Sequence, residues 1–158
     1  MRRYRQALSQ ERCIDVLNRG SSGVLSLLAT DGYPYGVPLN YVLHEGNLYF
    51  HSIGEGRKIE AIRACERASF TVIDADEIDS ARYTSLFRSV IVTGTIALCE
   101  GDEWLEAFDA LCAKYSADQS LEERQAKVRS CSKAVGLKLT VSHMSGKEAK
   151  ELAGVSYR

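Results

Sequence analysis

The sequence predicts a mainly β protein: an antiparallel barrel, closed or partly closed, with helices packed outside. Three observations carry this. The early segments alternate apolar and polar residues and are joined by turn dipeptides too short for parallel crossovers. The amphipathic helical patterns stand apart, one at the start and a block before the last strand. Nothing repeats, and no Pro/Gly-rich linker divides the 158 residues, so 1–158 is expected to form one domain.

The first element is a helix ending the segment 1–20. Ser9 can cap it, Ile14, Val16 and Leu17 give it an apolar side, and Gly20 can stop it. Gly23–Ala29 then reads as a strand. Asp31-Gly32 is a hairpin signal leading into a second strand, Pro34–Leu43, and Glu45-Gly46-Asn47 turns the chain into a third, Leu48–Ile53. These three are expected to form a meander. A short helix follows at Ile59–Cys65, then a strand at Ala68–Ile73. The acidic stretch Asp74–Ser80 reads as an exposed connection. Arg88–Cys99 is a long strand, apolar on both faces and therefore central, or covered on one side by a partner chain.

Trp104, Leu105, Phe108, Leu111, Cys112 and Tyr115 trace one stripe of a helix over 102–115, best read as core or dimer packing. Ser120 with Glu123 is a capping box opening another helix towards Ser130. These two form a helical insertion, 102–134, before a last strand in which Val135, Leu137, Leu139 and Val141 alternate with polar residues. A Rossmann arrangement is disfavoured by the hairpin connections.

Composition narrows the function classes. The chain is 45% apolar and 26% charged, with 20 Lys+Arg against 21 Asp+Glu, so no global field recruits nucleic acid or an anionic membrane. No apolar run approaches the ~20 residues of a spanning helix, and the N-terminus shows no signal-peptide core. A cytoplasmic protein is expected. Five scattered cysteines without a C-x-x-C, and three separated histidines, indicate free thiols and no metal site.

The segment 48–59 carries the chemistry. Gly54 and Gly56 let backbone N–H groups approach an anion, and the helix that follows directs its positive end to the same place. Arg57 adds a planar fork, Lys58 a point charge, and Ser52 a hydroxyl. Together they read as a monophosphate site.

Four motifs extend this reading: Gly-Tyr-Pro-Tyr-Gly-Val-Pro-Leu-Asn (32–40), Leu-Tyr-Phe-His-Ser with Glu-Gly-Arg-Lys-Ile (48–59), Arg-Ser-Val-Ile and a later glycine (88–94), and Gly-Lys-Glu (146–148). In this order the chain resembles the split-barrel flavoproteins related to pyridoxamine 5'-phosphate oxidase, and looks closest to the branch that includes nitroimidazole-resistance proteins. The resemblance implies a homodimer holding FMN at the subunit interface. It places Gly56, Arg57 and Lys58 at the FMN phosphate, with Ser52 and His51 lining the phosphate and ribityl end. Pro38, Leu39 and Asn40 would run along the isoalloxazine, with Arg88, Ser89 and Val90 nearby. The implied activity is reduction of a small electrophile, such as a nitroaromatic, with electrons from NAD(P)H. No side-chain nucleophile is then required, because the flavin carries the chemistry. The chain departs from its relatives at Phe87, where a tyrosine is common. It also lacks the basic C-terminal substrate motif of a true pyridoxamine 5'-phosphate oxidase, ending Gly154–Arg158. The alternative is a non-catalytic flavin- or haem-binding split barrel.

Some residues admit a second role. Shared strand phase with Tyr49 and Ile53 makes a buried, hydrogen-bonded histidine the plain alternative for His51. Asn40 can be an ordinary strand-end residue, and Arg88 can pair with the acidic stretch 74–79. Tyr33 and Tyr35 can cover a flavin or merely finish the hairpin.

Overall fold

The structure is a computed structural model and describes residues 6–131 and 134–153. Expectations at 1–5, at 132–133 within the helical insertion and at 154–158 lie outside the described residues. The elements are α1 (Gln10–Arg19), β1 (Gly23–Leu28), β2 (Pro34–Leu39), β3 (Val42–His44), β4 (Asn47–Ile53), α2 (Arg57–Ala64), β5 (Arg67–Asp79), β6 (Thr84–Cys99), α3 (Gly101–Tyr115), α4 (Leu121–Ser130) and β7 (Ala134–Glu148). The strands form one antiparallel sheet in the order β2-β1-β5-β6-β7-β4-β3.

That order corrects the expected meander. Both hairpins exist, but the segment read as one strand, Pro34–Leu43, breaks at Asn40-Tyr41 into β2 and β3, which form opposite edges of the sheet. The sheet curls until its edges are joined by the chain itself, without a ladder between them. The break has a local cause. Tyr41 turns fully inward and its hydroxyl donates to the Leu17 carbonyl at 2.7 Å. Its backbone N–H donates to the Tyr115 hydroxyl at 3.0 Å, and Asn40 Nδ2 donates to the Ser21 carbonyl at 2.9 Å. Side-chain partners thus satisfy groups that a ladder would otherwise hold.

The acidic stretch 74–79 is also corrected. It continues β5 as a two-stranded ribbon with the start of β6, in register from Ala75↔Arg88 to Asp79↔Thr84 after an irregularity at Ile73/Ala75. The pairing supplies the hydrogen bonds, Asp76 and Glu77 stand in solvent, and Asp74 and Asp79 are paired with arginines, so charge does not oppose the strand. As expected, β6 is central, between β5 and β7.

Leu25, Leu27, Leu48, Phe50, Phe70, Val72, Val92, Ile96, Leu137 and Leu139 fill the barrel with residues of α1 and α2. Phe70 meets Tyr41 and Phe50 edge-to-face, at 4.8 and 5.0 Å between ring centroids. A second core lies outside the barrel wall, where Trp104, Ala107, Phe108 and Leu111 of α3 cover Val42, Tyr49 and Cys99. Trp104 rests on the bare backbone of Gly136; a Cβ there would come 2.4 Å from the indole. Trp104, Phe108 and Leu111 of the stripe are therefore core packing, while Leu105 and Tyr115 remain exposed. All five cysteines are free thiols. Among the described residues, no helix is long and apolar enough to cross a membrane.

Candidate cofactor site

Helix α2 begins at Gly56, whose φ of 95° lies in the left-handed region that favours glycine. No side chain caps this helix, and a Cβ at Gly56 would meet nothing within 4 Å, so the helix start at Gly56 faces open space. Arg57 and Lys58 stand on that turn. The Arg57 guanidinium lies 4.7 Å from the Tyr35 ring centroid and donates to Asp31 at 2.9 Å, both partners on the β1–β2 hairpin. Lys58 is half-buried, and the loss of water lowers its pKa. A cationic pair, an uncapped helix end and an aromatic wall therefore meet at one corner. The sequence reading missed Asp31 as a clamp partner; its Asp-Gly turn was visible, but not its distance from Arg57.

The other expected site residues fall into three further settings. Ser52 is buried at the end of β4 and donates to the Ile53 carbonyl at 2.9 Å. Leu39 packs against the barrel core, in which Val90 is fully buried. Arg88 is also buried, donating to Glu148 at 3.1 Å and to Asp74 at 3.2 Å. Arg12 holds the same Glu148, and Arg19 holds the same Asp74. This chain of ion pairs ties α1 to β5, β6 and β7. Arg88 does pair with the acidic stretch, but inside the protein rather than on its surface.

Pro38 and Ser89 stand on the outer face of the sheet. Pro38 pairs with Val24, which pairs with Thr71, which pairs with Ile91; Ser89 pairs with Ile73. Val24, Ile73 and Ile91 are 39%, 67% and 45% exposed, an unusual concentration of uncovered aliphatic residues on one sheet face.

His51 and Asn40 line a cleft of about 460 Å³ between β4 and the α3–α4 pair. The buried-histidine alternative is overturned. The strand phase shared by Tyr49, His51 and Ile53 faces away from the barrel interior; α3 covers Tyr49, while His51 and Ile53 remain exposed. Sequence periodicity identified the two faces of this strand, but not which of them the barrel encloses.

The profile of the family described as pyridoxamine 5'-phosphate oxidase matches residues 9–148. The chain belongs to this family. No curated protein matches the sequence. Solved structures do. A conserved hypothetical protein from Mycobacterium tuberculosis superposes with a TM-score of 0.79 at 19% identity, covering 97% of this chain and 92% of its own. A protein from Bacteroides thetaiotaomicron, described as a 5-nitroimidazole antibiotic resistance protein, gives 0.73 at 24% identity, with 89% and 85% covered. The FAD and haem binding protein of Mycobacterium smegmatis gives 0.72 at 20% identity, with 96% and 81% covered. These likenesses establish the split-barrel fold.

Proposed function

We propose that the protein is an FMN-dependent oxidoreductase of the cytoplasm. It works as a homodimer, taking electrons from NAD(P)H and passing them to a small electrophile such as a nitroaromatic. The observation that carries this reading is the cationic corner at Gly56-Arg57-Lys58, open to solvent at an uncapped helix end in a chain of this family. A flavin mononucleotide ends in a phosphate dianion, and this corner offers it a planar fork, an ammonium and the positive end of α2.

The chain's own residues have defined tasks. Arg57 and Lys58 neutralise the phosphate, with Asp31 as the competitor that the phosphate must displace from Arg57. Tyr35 keeps the guanidinium stacked and oriented. The outer sheet face around Pro38 and Ser89 forms one wall of an interfacial slot, and a second copy covering Val24, Ile73 and Ile91 supplies the other. When bound, the flavin supplies the electron-transfer chemistry itself. In the sheathed slot the protein's part is to position the ring and exclude water.

Purified protein loaded with FMN, sedimented and then titrated with NADPH without oxygen, tests this. A yellow dimer that bleaches with NADPH and recovers its colour on adding a nitro compound is the expected result. Loss of FMN on desalting, or a retained flavin that neither NADH nor NADPH reduces, overturns the enzymatic reading. A flavin-loaded monomer overturns the interfacial site.

A further inference from the structure

Helix α4 buries none of its side chains, whereas α1, α2 and α3 each bury several. Its first turn is held locally, by the Ser120–Glu123 capping box. Its far end meets the second core, where Val128 and the capping residue Cys131 pack partly buried. An element with so little buried surface opens locally at a low cost compared with the whole fold. Whatever fastens that end controls how firmly α4 is docked.

A fastening partner stands on α3. Cys112 packs against the same core, and both thiols line the α3–α4 side of the cleft, across from His51 and Asn40. Burial raises the Cys112 pKa, Asp109 and the Cys131 thiol raise it further, and Arg124 and Lys127 oppose them. The two sulfurs thus lie within electrostatic reach of each other. Both residues are partly exposed, so a small oxidant can reach them. The other cysteines are placed apart. Cys13 is buried in the barrel core, Cys99 is buried with its thiol donating to Glu103 at 3.6 Å, and Cys65 caps the end of α2.

We propose that Cys112 and Cys131 form a reversible redox clasp: a disulfide, made by a peroxide and undone by a small dithiol, that fastens the end of α4 to α3. One thiolate attacks a peroxide oxygen, the O–O bond breaks, and a sulfenic acid and water form. The second thiolate attacks that sulfur, the S–O bond breaks and another water leaves. Two thiols lose two electrons and two protons, and one hydrogen peroxide becomes two waters. The bond needs the two Cα atoms within about 7 Å. The end of α4, with no buried side chain of its helix to resist, can settle onto α3 to meet that span. In a reducing compartment such a bond forms transiently, as a response to oxidant, which suits a clasp on a loosely held helix.

The experiment treats the whole reduced, flavin-free protein with hydrogen peroxide and counts free thiols after denaturation. The count should fall from five to three, with the intact mass lower by two hydrogens, and dithiothreitol should restore both. Peptides cut at glutamate as well as at lysine and arginine separate Cys99 from Cys112, and should show Cys112 joined to Cys131. Cys112→Ser and Cys131→Ser should each abolish the bond, and Cys65→Ser should leave it unchanged. Both clasp residues are partly exposed, and either variant alone suffices if the other fails to fold. Deuterium should enter the α4 amides more slowly in the oxidised protein, while Phe70 and Val92 keep their rates. Five thiols persisting in excess peroxide, oxidation that stops at sulfinic acids, a bond to another cysteine or another copy, or unchanged α4 exchange would overturn the proposal. The clasp does not rest on the flavin reading. FMN retention without the disulfide sinks this inference alone; the disulfide without FMN retention sinks the cofactor reading alone.

Discussion

The family resemblance offers both Arg57 and Arg88 to the same cofactor, Arg57 at its phosphate and Arg88 nearby. The fold treats them differently. The Arg57 side chain is 52% exposed and holds a single exposed carboxylate, Asp31. The Arg88 side chain is 7% exposed and lies between Glu148 and Asp74, themselves held by Arg12 and Arg19. A cation already neutralised on two sides, away from water, gains little from a phosphate. One with a weak surface partner can exchange it. Availability to a ligand therefore depends on what else the fold brings to the residue, a long-range property that local motif spacing does not encode.

The largest effect that would break this contrast is at Arg88. Arg88→Ala should cost about 3 kcal/mol of stability, because it removes the buried cation that bridges Glu148 and Asp74 and leaves each with only its arginine on α1; chemical denaturation measures it. A stable Arg88→Ala protein with weakened FMN binding would reverse the roles assigned here. Arg57→Ala should leave the denaturation midpoint nearly unchanged while weakening FMN by roughly 1.5–3 kcal/mol, about ten- to a hundredfold, the range for a hydrogen bond to a charged group. Flavin fluorescence titration reads it.

Smaller effects sharpen the contrast. Asp31→Asn frees the Arg57 fork from an exposed pair worth about 0–1 kcal/mol, so FMN should bind up to about fivefold tighter. Lys58 gives a signature in pH. Burial lowers its pKa in the free protein, and a phosphate dianion beside it favours the ammonium, so binding takes up protons. Affinity should be full below the free-state titration of Lys58 and fall as pH rises through it. Calorimetry at alkaline pH in buffers of different ionisation heat should show the uptake in the native protein and none in Lys58→Met.

Much of the fold was legible because it is locally encoded. The Ser9 cap, the Ser120–Glu123 capping box, the Asp31-Gly32 and Glu45-Gly46 turns and the Trp104 stripe all specify their elements through neighbours a few residues away. What was not legible depends on distant partners. Tyr41 breaks a continuous β pattern because Leu17 and Tyr115 await it across the molecule. The acidic ribbon is a strand because β6 runs beside it. His51 faces the cleft because the barrel encloses the other side of β4. The cationic corner was legible at Gly56-Arg57-Lys58, where sequence neighbours are also spatial neighbours. The cleft remained hidden because its walls come from distant parts of the chain, Asn40 and His51, 108–116, and Lys127 with Cys131 and Ala134.

The junction at Asn40-Tyr41 also sets where the molecule breathes. There the chain passes from one sheet edge to the other, held by the Tyr115 phenol and the Asn40 amide instead of a ladder, so a small shift at the end of α3 frees the Tyr41 amide without unpairing any strand. Compliance is thus concentrated beside the cleft, while Phe70 and Val92 stay locked inside the barrel, and deuterium should enter the Tyr41 amide well before theirs.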